Sequence, residues 1–219
     1  MAFGKILRPV FDPGLAVAPW WKVAGKTCLA AYQPKGAASL AASYVNLANP
    51  GTYDAAPGVA PTWAAATGWA FNGGTQYLDT GIVPASGWSM LVRYSTTFNY
   101  DAFLVGSTNG ANAAFYLERW FVATHAIFYG NGGSSEKYDI PNSYGVIGVA
   151  GNRGYCDGID VGVTIPPWSG VTTYQIILGG RNNGGTLELR PSTIAALIIY
   201  SAVLTAGEVA TVSAVMATL

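Results

Sequence analysis

The sequence predicts an all-β protein, an antiparallel β-sandwich with an extended N-terminal arm and a short C-terminal helix. Short apolar and aromatic runs alternate with turn sequences rich in Gly and Asn, and few stretches have helical spacing. Charged residues make up only 10% of the chain, against about 25% in an average globular protein. Its 219 residues suffice for one large sandwich with a buried core.

We expect residues 1–25 to form the arm and residues 26–219 to form the sandwich. The arm is interrupted by proline and ends near the pair Trp20-Trp21. Residues 1–35 carry five basic side chains and one acidic side chain, so this segment could dock on an acidic partner or simply carry solvated lysines. Arg8 and Asp12, with their neighbouring prolines, break the apolar run that a secretory signal needs.

The first half of the body contains strand signals in close succession. A strand is predicted at residues 27–33, and residues 37–47 have the spacing of a short helix. Further strands are predicted at residues 88–97, 102–105, 113–118 and 120–129. The longest strongly apolar run, residues 194–204, is shorter than the roughly 18 residues that span a membrane, so no membrane insertion is expected.

Residues 68–81, GWAFNGGTQYLDTG, predict a β-hairpin. Two short aromatic and apolar pieces lie on either side of Asn72-Gly73-Gly74. Asn-Gly supplies the positive φ angles of a tight two-residue turn. The sequence therefore predicts that these two strands pair with each other.

The C-terminal third contains further turn sequences next to strand-like pieces, followed by a predicted helix. Asp157-Gly158 separates two strand-like pieces within residues 146–163, and an Asn-Gly-Gly turn follows residues 176–180. Residues 194–200, IAALIIY, predict a buried strand. Thr205 and Glu208 then have the spacing of a capping box, followed by an apolar helical face.

These segments together resemble the concanavalin A-like lectin and glucanase superfamily, and within it the laminin-G-like jelly-roll domain found in phage and bacterial surface proteins. The resemblance covers residues 27–219 and rests on the hairpin at residues 68–81, the Asp157-Gly158 turn, and the final strand with its capped helix. It implies a concanavalin A-like jelly roll. Members of the superfamily are mostly binding modules and less often glycosidases.

Catalysis is not predicted. Retaining glycosidases of the superfamily carry an E-x-D-x-x-E pattern on one strand, and none of Glu118, Glu136, Glu188 and Glu208 begins it. His125 is the single histidine, and no G-x-S-x-G elbow presents a serine to it. We therefore expect a protein that is not an enzyme and has no catalytic residues.

Four tryptophans are candidate binding residues because they lie beside Pro or Gly: Trp20, Trp21, Trp63 and Trp168. Flat rings in loops can stack on sugars or anchor an interface, and equally they can cover the edges of a sandwich. Laminin-G-like relatives often bind calcium, and this makes Asp79 a candidate ligand, although a turn role also fits Asp-Thr-Gly.

The two cysteines, Cys28 and Cys156, match neither a disulfide framework nor a metal-ligand spacing. They could pair if their strands were adjacent. The alternative is that both are small, buried, apolar side chains.

Two functions remain open, with a glycoside hydrolase as a third and disfavoured one. The first is a non-catalytic structural or accessory protein, most consistent with a phage virion component (coat, decoration or tail-associated) that assembles through its sandwich and arm with like subunits or other virion proteins. The second is a carbohydrate-binding, lectin-like module for cell-surface glycans. Either would place the protein in a virion or on an extracellular surface. No basic stripe predicts nucleic-acid binding.

Overall fold

The computed structural model describes residues 18–95, 102–110, 113–122, 124–131, 134–139 and 144–219. Most of the predicted arm, residues 1–17, therefore lies outside the described residues. Over the described residues the chain forms, in order, β1 (Cys28–Tyr32), α1 (Leu40–Ser43), β2 (Ala56–Val59), β3 (Thr62–Ala64), β4 (Gly68–Asn72), β5 (Tyr77–Asp79), β6 (Ser89–Ser95), β7 (Ala102–Thr108), β8 (Ala114–Val122), β9 (Thr124–Asn131), β10 (Ser134–Asp139), β11 (Tyr144–Ala150), β12 (Arg153–Cys156), β13 (Ile159–Thr164), β14 (Ile177–Leu178), β15 (Gly180–Asn183), β16 (Thr186–Leu189), β17 (Pro191–Tyr200) and α2 (Ala206–Thr218).

The strands form two sheets, which confirms the predicted antiparallel β-sandwich. The first sheet has eight strands in the order β13-β12-β11-β6-β17-β4-β3, and β1 also pairs with β17. The second sheet has nine strands in the order β10-β9-β8-β7-β14-β5-β2, with β15 paired to both β7 and β16. Among the described strands the pairing is antiparallel, except that β15 runs parallel to β7.

The main core lies between the two sheets. It takes Trp69, Met90 and Leu197 from the first sheet and Leu104 and Leu117 from the second, all fully buried. Alternation along each strand directs these side chains inward, because successive residues of a strand point to opposite faces. One face of each sheet is therefore buried in the main core.

A second apolar cluster covers the outer face of the first sheet. Val209, Val212 and Met216 of α2 pack there against Leu91 and Ile198 of the sheet. The helix begins as predicted, with the Thr205 side chain accepting from the Glu208 amide and the Glu208 carboxylate accepting from the Thr205 amide. The central strands of the first sheet are thus buried on both faces.

The predicted hairpin at residues 68–81 is wrong, because its two strands belong to different sheets. β4 pairs with β3 and β17 of the first sheet, whereas β5 pairs with β2 and β14 of the second. Asn72 organises the crossing, since its Oδ1 accepts hydrogen bonds from the amides of Gly74, Thr75 and Gln76 at 2.9, 3.0 and 3.2 Å. The same Asn-Gly-Gly sequence thus connects the two layers of the sandwich.

Two other turns are hairpins, and the one at Asp157-Gly158 was predicted as such. Asp157 and Gly158 have φ angles of 47° and 82° between β12 and β13, and Cys156 pairs with Ile159. Gly184 and Gly185 join β15 to β16 with φ angles of 62° and 91°. Positive φ at both central residues is what a two-residue hairpin turn requires.

Two predicted elements have different bounds in the structure. The helix predicted at residues 37–47 is only the four residues of α1, capped by the Ser39 side chain on the Ala42 amide. The single strand predicted at residues 120–129 is wrong: β8 continues to Val122, and β9 starts at Thr124 and pairs with it. The residues of this stretch have high strand propensity, and propensity alone does not show where the chain reverses its direction.

Cys28 and Cys156 are free thiols in separate places. Cys28 packs with the outer cluster, and Cys156 packs with the main core. Burial raises the pKa of the Cys28 thiol to about 12 and that of Cys156 to about 11. Among the described helices, none is both long and apolar enough to cross a membrane.

Gly68 lies where β4 comes close to β17, and its substitution tests how tight this contact is. It has a φ of +94°, and a Cβ there would lie 2.3 Å from the backbone oxygen of Ile194. We expect Gly68→Ala to lower the free energy of unfolding by about 3 kcal/mol or more, because both the φ and the contact are unfavourable. Gly184→Ala is the matched control, since its φ is +62° with nothing within 4 Å of the added Cβ. It should cost about 1 kcal/mol. Equal losses in urea denaturation would contradict this account of Gly68.

Candidate functional site

Trp20 and Trp21 pack against the chain's own body. Their rings meet edge to face with centroids 5.7 Å apart, and both pack on the cluster that covers the outer face of the first sheet. Trp20 Nε1 donates to Gln33 Oε1 at 2.9 Å, and the Tyr200 hydroxyl donates to the Trp21 carbonyl at 2.9 Å. The two rings are half-buried in this position, and docking of a partner through them stays a prediction.

Trp63 and Trp168 lie in a different part of the molecule. Both are half-buried and pack against the main core between the sheets. Trp63 Nε1 donates to the Pro34 carbonyl at 2.8 Å. The four predicted tryptophans thus belong to two separate clusters. A binding role for Trp63 or Trp168 stays a prediction.

Asp79 lies at the end of β5 in an open depression of about 510 Å³ that Asp54 and Gln175 also line. Its Oδ1 accepts from the Gly81 amide at 2.9 Å, the turn role that the sequence also allowed. The Gln175 side chain, with its nitrogen toward Asp79, donates to both carboxylate oxygens at 3.0 and 2.6 Å. Within the described part of the chain, no group of three or more His, Cys, Asp or Glu could hold a metal. Calcium binding at Asp79 stays a prediction.

The outer surface of the second sheet carries a cluster of charged and aromatic side chains. We call it the arginine–aromatic face and define it by Phe103, Tyr116, Arg181, Glu188 and Arg190. Tyr116 lies between Phe115 and Leu117 of β8, whose side chains enter the main core, so strand alternation directs Tyr116 outward. Its ring meets that of Phe103 edge to face at 6.0 Å between centroids.

Arg181 lies over both rings of this face. Its Cζ is 4.1 Å from the centre of the Phe103 ring and 4.8 Å from that of Tyr116. Arg190 approaches Phe103 from further away, at 5.8 Å. The negative faces of the rings attract a guanidinium at these distances, and the rings therefore hold Arg181 in place.

The β15–β16 hairpin positions the charged members of the face. Arg181 and Glu188 are cross-strand partners in it, and the parallel pairing of β15 with β7 lays the hairpin beside Phe103's strand. Arg181 Nε donates to Glu188 Oε2, and Asn183 Nδ2 donates to Glu188 Oε1 at 2.9 Å. Both carboxylate oxygens of Glu188 are therefore engaged.

The electrostatics of Glu188 follow from these partners. Partial burial acts to raise its pKa, but the hydrogen bonds from Asn183 and Arg181 and the charges of Arg181 and Arg190 outweigh it, so the pKa lies below its ordinary value. Glu188 is thus ionised at neutral pH and fixes Arg181 from the side while the rings fix it from below.

Arg190 is the exposed donor of the face. Its Nη1 donates to the Leu189 carbonyl at 3.0 Å, and among the described residues no carboxylate forms an ion pair with it. Glu118, opposite Phe103 in the β7–β8 pair, is buried at 5% exposure. The face itself thus holds two arginines and one glutamate, with hydrogen-bond donors and acceptors side by side.

This face is not predicted from the sequence because its members are far apart in the chain. One signal was present in residues 181–190, RNNGGTLELR. A two-residue turn at Gly184-Gly185 necessarily places Arg181 opposite Glu188, and counting outward from that turn would have found the pair. The contribution of Phe103 and Tyr116 required the tertiary structure.

Comparison with solved structures agrees with the β-sandwich fold. The fold is similar to that of botulinum neurotoxin type C, with a TM-score of 0.58, 10% identity and 86% of this chain covered. It is also similar to a mutant Trypanosoma rangeli sialidase that displays trans-sialidase activity (TM-score 0.57, 15% identity, 90% covered). A third similar structure is the binding domain of botulinum neurotoxin DC in complex with rat synaptotagmin II (TM-score 0.57, 8% identity, 86% covered).

These likenesses establish the fold alone. The chain spans 51% of the length of each toxin structure and 34% of that of the Trypanosoma rangeli sialidase. No protein-family model matches the chain, and no curated protein matches it. The laminin-G-like assignment within the concanavalin A-like superfamily therefore stays a prediction from the sequence.

Glu188→Gln tests the electrostatics of the face. We expect it to lower the free energy of unfolding by about 1–2 kcal/mol at pH 7, since half-buried Arg181 loses a charged partner. The folded pKa of Glu188 is below the ordinary value of 4.5, so ionised Glu188 stabilises the fold above that value. This stabilisation is lost as the pH falls through the folded pKa, and the difference between variant and wild type should shrink there.

Asp160→Asn is the matched control for this measurement. Asp160 pairs with Arg153 at 4.0 Å on the surface, with both side chains well exposed. Its replacement should cost well under 1 kcal/mol. A Glu188→Gln loss that does not shrink as the pH is lowered until Glu188 takes up its proton would show that the ion pair is not its cause.

Proposed function

We propose that this protein is a non-catalytic carbohydrate-binding module and that its sugar ligand lies on the arginine–aromatic face. The observation that carries the proposal is the fixed array of Arg181, Glu188 and Asn183 beside the exposed Arg190. These groups are held by one another and by the rings beneath Arg181, so a ligand would meet them already ordered.

The chemistry of the array matches that of a saccharide. Vicinal hydroxyls accept from the planar fork of a guanidinium, and they donate to a carboxylate. Arg190 supplies the guanidinium. Glu188 supplies the carboxylate, which accepts through lone pairs that Arg181 and Asn183 leave free. The pairing of donors and acceptors at Arg181, Glu188 and Asn183 favours a hydroxyl-rich ligand. Phe103 and Tyr116, which are 6% and 8% exposed, support Arg181 and are not themselves the stacking surface.

The comparisons support this proposal through the fold. Botulinum neurotoxin type C enters cells in a manner dependent upon interaction with two ganglioside molecules, so a similar sandwich acts beside a glycolipid. The binding domain of the related toxin in complex with synaptotagmin II instead contacts a protein. The function of this chain therefore has to rest on its own residues.

The proposal of a non-catalytic role is supported by the positions of the described carboxylates. A glycosidase needs two carboxyl groups flanking one bond, one of them free to give a proton. Glu188 is engaged through both oxygens, and Glu208 is the helix cap. Asp157 accepts from the Val146 amide in its hairpin. Each of these carboxylates has a structural role.

The virion role predicted from the sequence stays a prediction. No feature of the described residues favours it over a carbohydrate-binding module, and assembly with like subunits and a virion or extracellular location stay predictions with it. The virion role would become the better explanation if the chain bound no glycan and formed stable oligomers.

Glycan-array binding of the whole chain tests the proposal. We expect saturable binding to at least one saccharide, weakened about tenfold or more by Arg190→Ala, which corresponds to about 1.4 kcal/mol. Arg153→Ala, an exposed arginine of β12 in the other sheet, is the matched control and should bind normally. Trp63→Ala and Trp168→Ala form a separate arm of the experiment. Loss of binding in these variants with Arg190→Ala unchanged would move the site to the tryptophans, and absence of any binding would refute the function.

A further inference from the structure

The two arginines of the arginine–aromatic face differ in how their charges are compensated. Arg181 is half-buried over the Phe103 ring, and its Nε donates to Glu188 Oε2. The other oxygen of Glu188 accepts from Asn183 Nδ2 at 2.9 Å. The charge of Glu188 therefore compensates that of Arg181, and the charge of Arg190 remains.

Arg190 is exposed and oriented at the same time. Its Nη1 donates to the Leu189 carbonyl at 3.0 Å, and its Cζ lies 5.8 Å from the centre of the Phe103 ring. Among the described residues, no carboxylate forms an ion pair with it. A guanidinium has five N–H donors in a planar array, so the fork of Nε and Nη2 is left for a ligand.

The neighbouring carboxylates do not occupy this place. Glu188 is close enough for the charge of Arg190 to help lower its pKa, but its oxygens bond to Arg181 and Asn183. Glu118 lies opposite Phe103 in the β7–β8 pair and is only 5% exposed, so it does not reach a ligand on the surface. The exposed part of the face is therefore cationic.

We infer that the saccharide bound by this face carries a carboxylate on its ring, and that Arg190 binds this carboxylate. The inference rests on the proposed function and specifies its ligand. The fork of a guanidinium matches both oxygens of a carboxylate, and such charge-assisted pairs are the stronger hydrogen bonds. The ring hydroxyls beside the carboxylate then reach the free lone pairs of Glu188 and the amide of Asn183. Uronic and sialic acids have this combination of groups.

Glu188 limits the charge that the ligand can carry. It is ionised at neutral pH, so a second negative charge on the ligand would be repelled by it. A single carboxylate on Arg190 instead leaves neutral hydroxyls in front of Glu188, and these can donate to it. The face therefore suits a sugar with one carboxylate better than a sugar phosphate.

Backbone amide NMR of the whole chain, titrated with the methyl glycosides of glucuronic, galacturonic and sialic acid, tests the inference. The neutral matches are the same glycosides with the carboxylate converted to a carboxamide. At least one acid should shift the amides of Asn183 and Arg190 and bind about tenfold or more tightly than its carboxamide, because the carboxamide loses the charge-assisted pair. This advantage should shrink when salt is raised from 50 to 500 mM. The acid that binds identifies the source of the carboxylate, a uronic or a sialic acid.

Variants at Arg190 then test which residue binds the carboxylate. Arg190→Gln should lower the ratio of acid to carboxamide affinity about tenfold, because the charged fork is removed. Arg190→Lys keeps the charge but not the fork, so it should lower the ratio less. Arg153→Gln, at an exposed arginine of β12 in the other sheet, is the matched control and should leave the ratio unchanged.

Failure of this inference and failure of the proposed function give different results. Equal binding of acid and carboxamide, stronger binding of a sugar phosphate, or binding of neutral glycans alone would overturn the acidic class and leave the carbohydrate-binding function intact. An unchanged ratio in Arg190→Gln would also overturn the inference, because the carboxylate would then bind another group. No binding of any glycan, acidic or neutral, would overturn both.

Discussion

The burial of β17 on both faces is the constraint on which the rest of the structure depends. Ile194, Leu197 and Ile199 enter the main core, whereas Ala196, Ile198 and Tyr200 enter the outer cluster. Each large apolar side chain buried in this way contributes about 1.5–3 kcal/mol. Such a strand needs a layer on each side, and the second sheet and α2 provide these layers. The capping box at Thr205 fixes where α2 begins, five residues after the strand ends.

The central position of β17 also explains the crossing at Asn72. β6 occupies one edge of β17 along most of its length, and β4 and β1 share the other edge end to end. β4 is then enclosed between β17 and β3, which leaves no edge for β5. The chain must pass to the second sheet, and Asn72 supplies the hydrogen bonds that the backbone of the crossing lacks.

The sequence could predict those parts of the fold that depend on local chemistry. The Asp157-Gly158 hairpin, the capping box and the buried strand at β17 all follow from neighbouring residues, and the structure has them. The Asn72 turn was mispredicted because Asn-Gly-Gly supplies positive φ angles equally well to a hairpin and to a crossing between sheets. Which one forms depends on the edges that β17 and β14 offer, and these are set by residues more than a hundred positions away. The candidate site divides in the same way: the Arg181–Glu188 pair follows from its hairpin, whereas Phe103 and Tyr116 reach Arg181 only through the pairing of β15 with β7.

The two-sided burial of the first sheet finally determines where ligands can lie. Because α2 and the Trp20-Trp21 segment cover its outer face, a ligand that needs a broad sheet surface is directed to the second sheet, where the arginine–aromatic face lies. The first sheet leaves space below α2 where the side chains become small, at Ala217 and Ala195. The charges follow the same division. On the second sheet Arg181 is paired with Glu188 within a hairpin and Arg190 stays exposed, whereas above the first sheet Lys35 and Arg93 both donate to an oxygen of Leu219. The same packing that stabilises β17 therefore gives the two sides of the sandwich different chemistry.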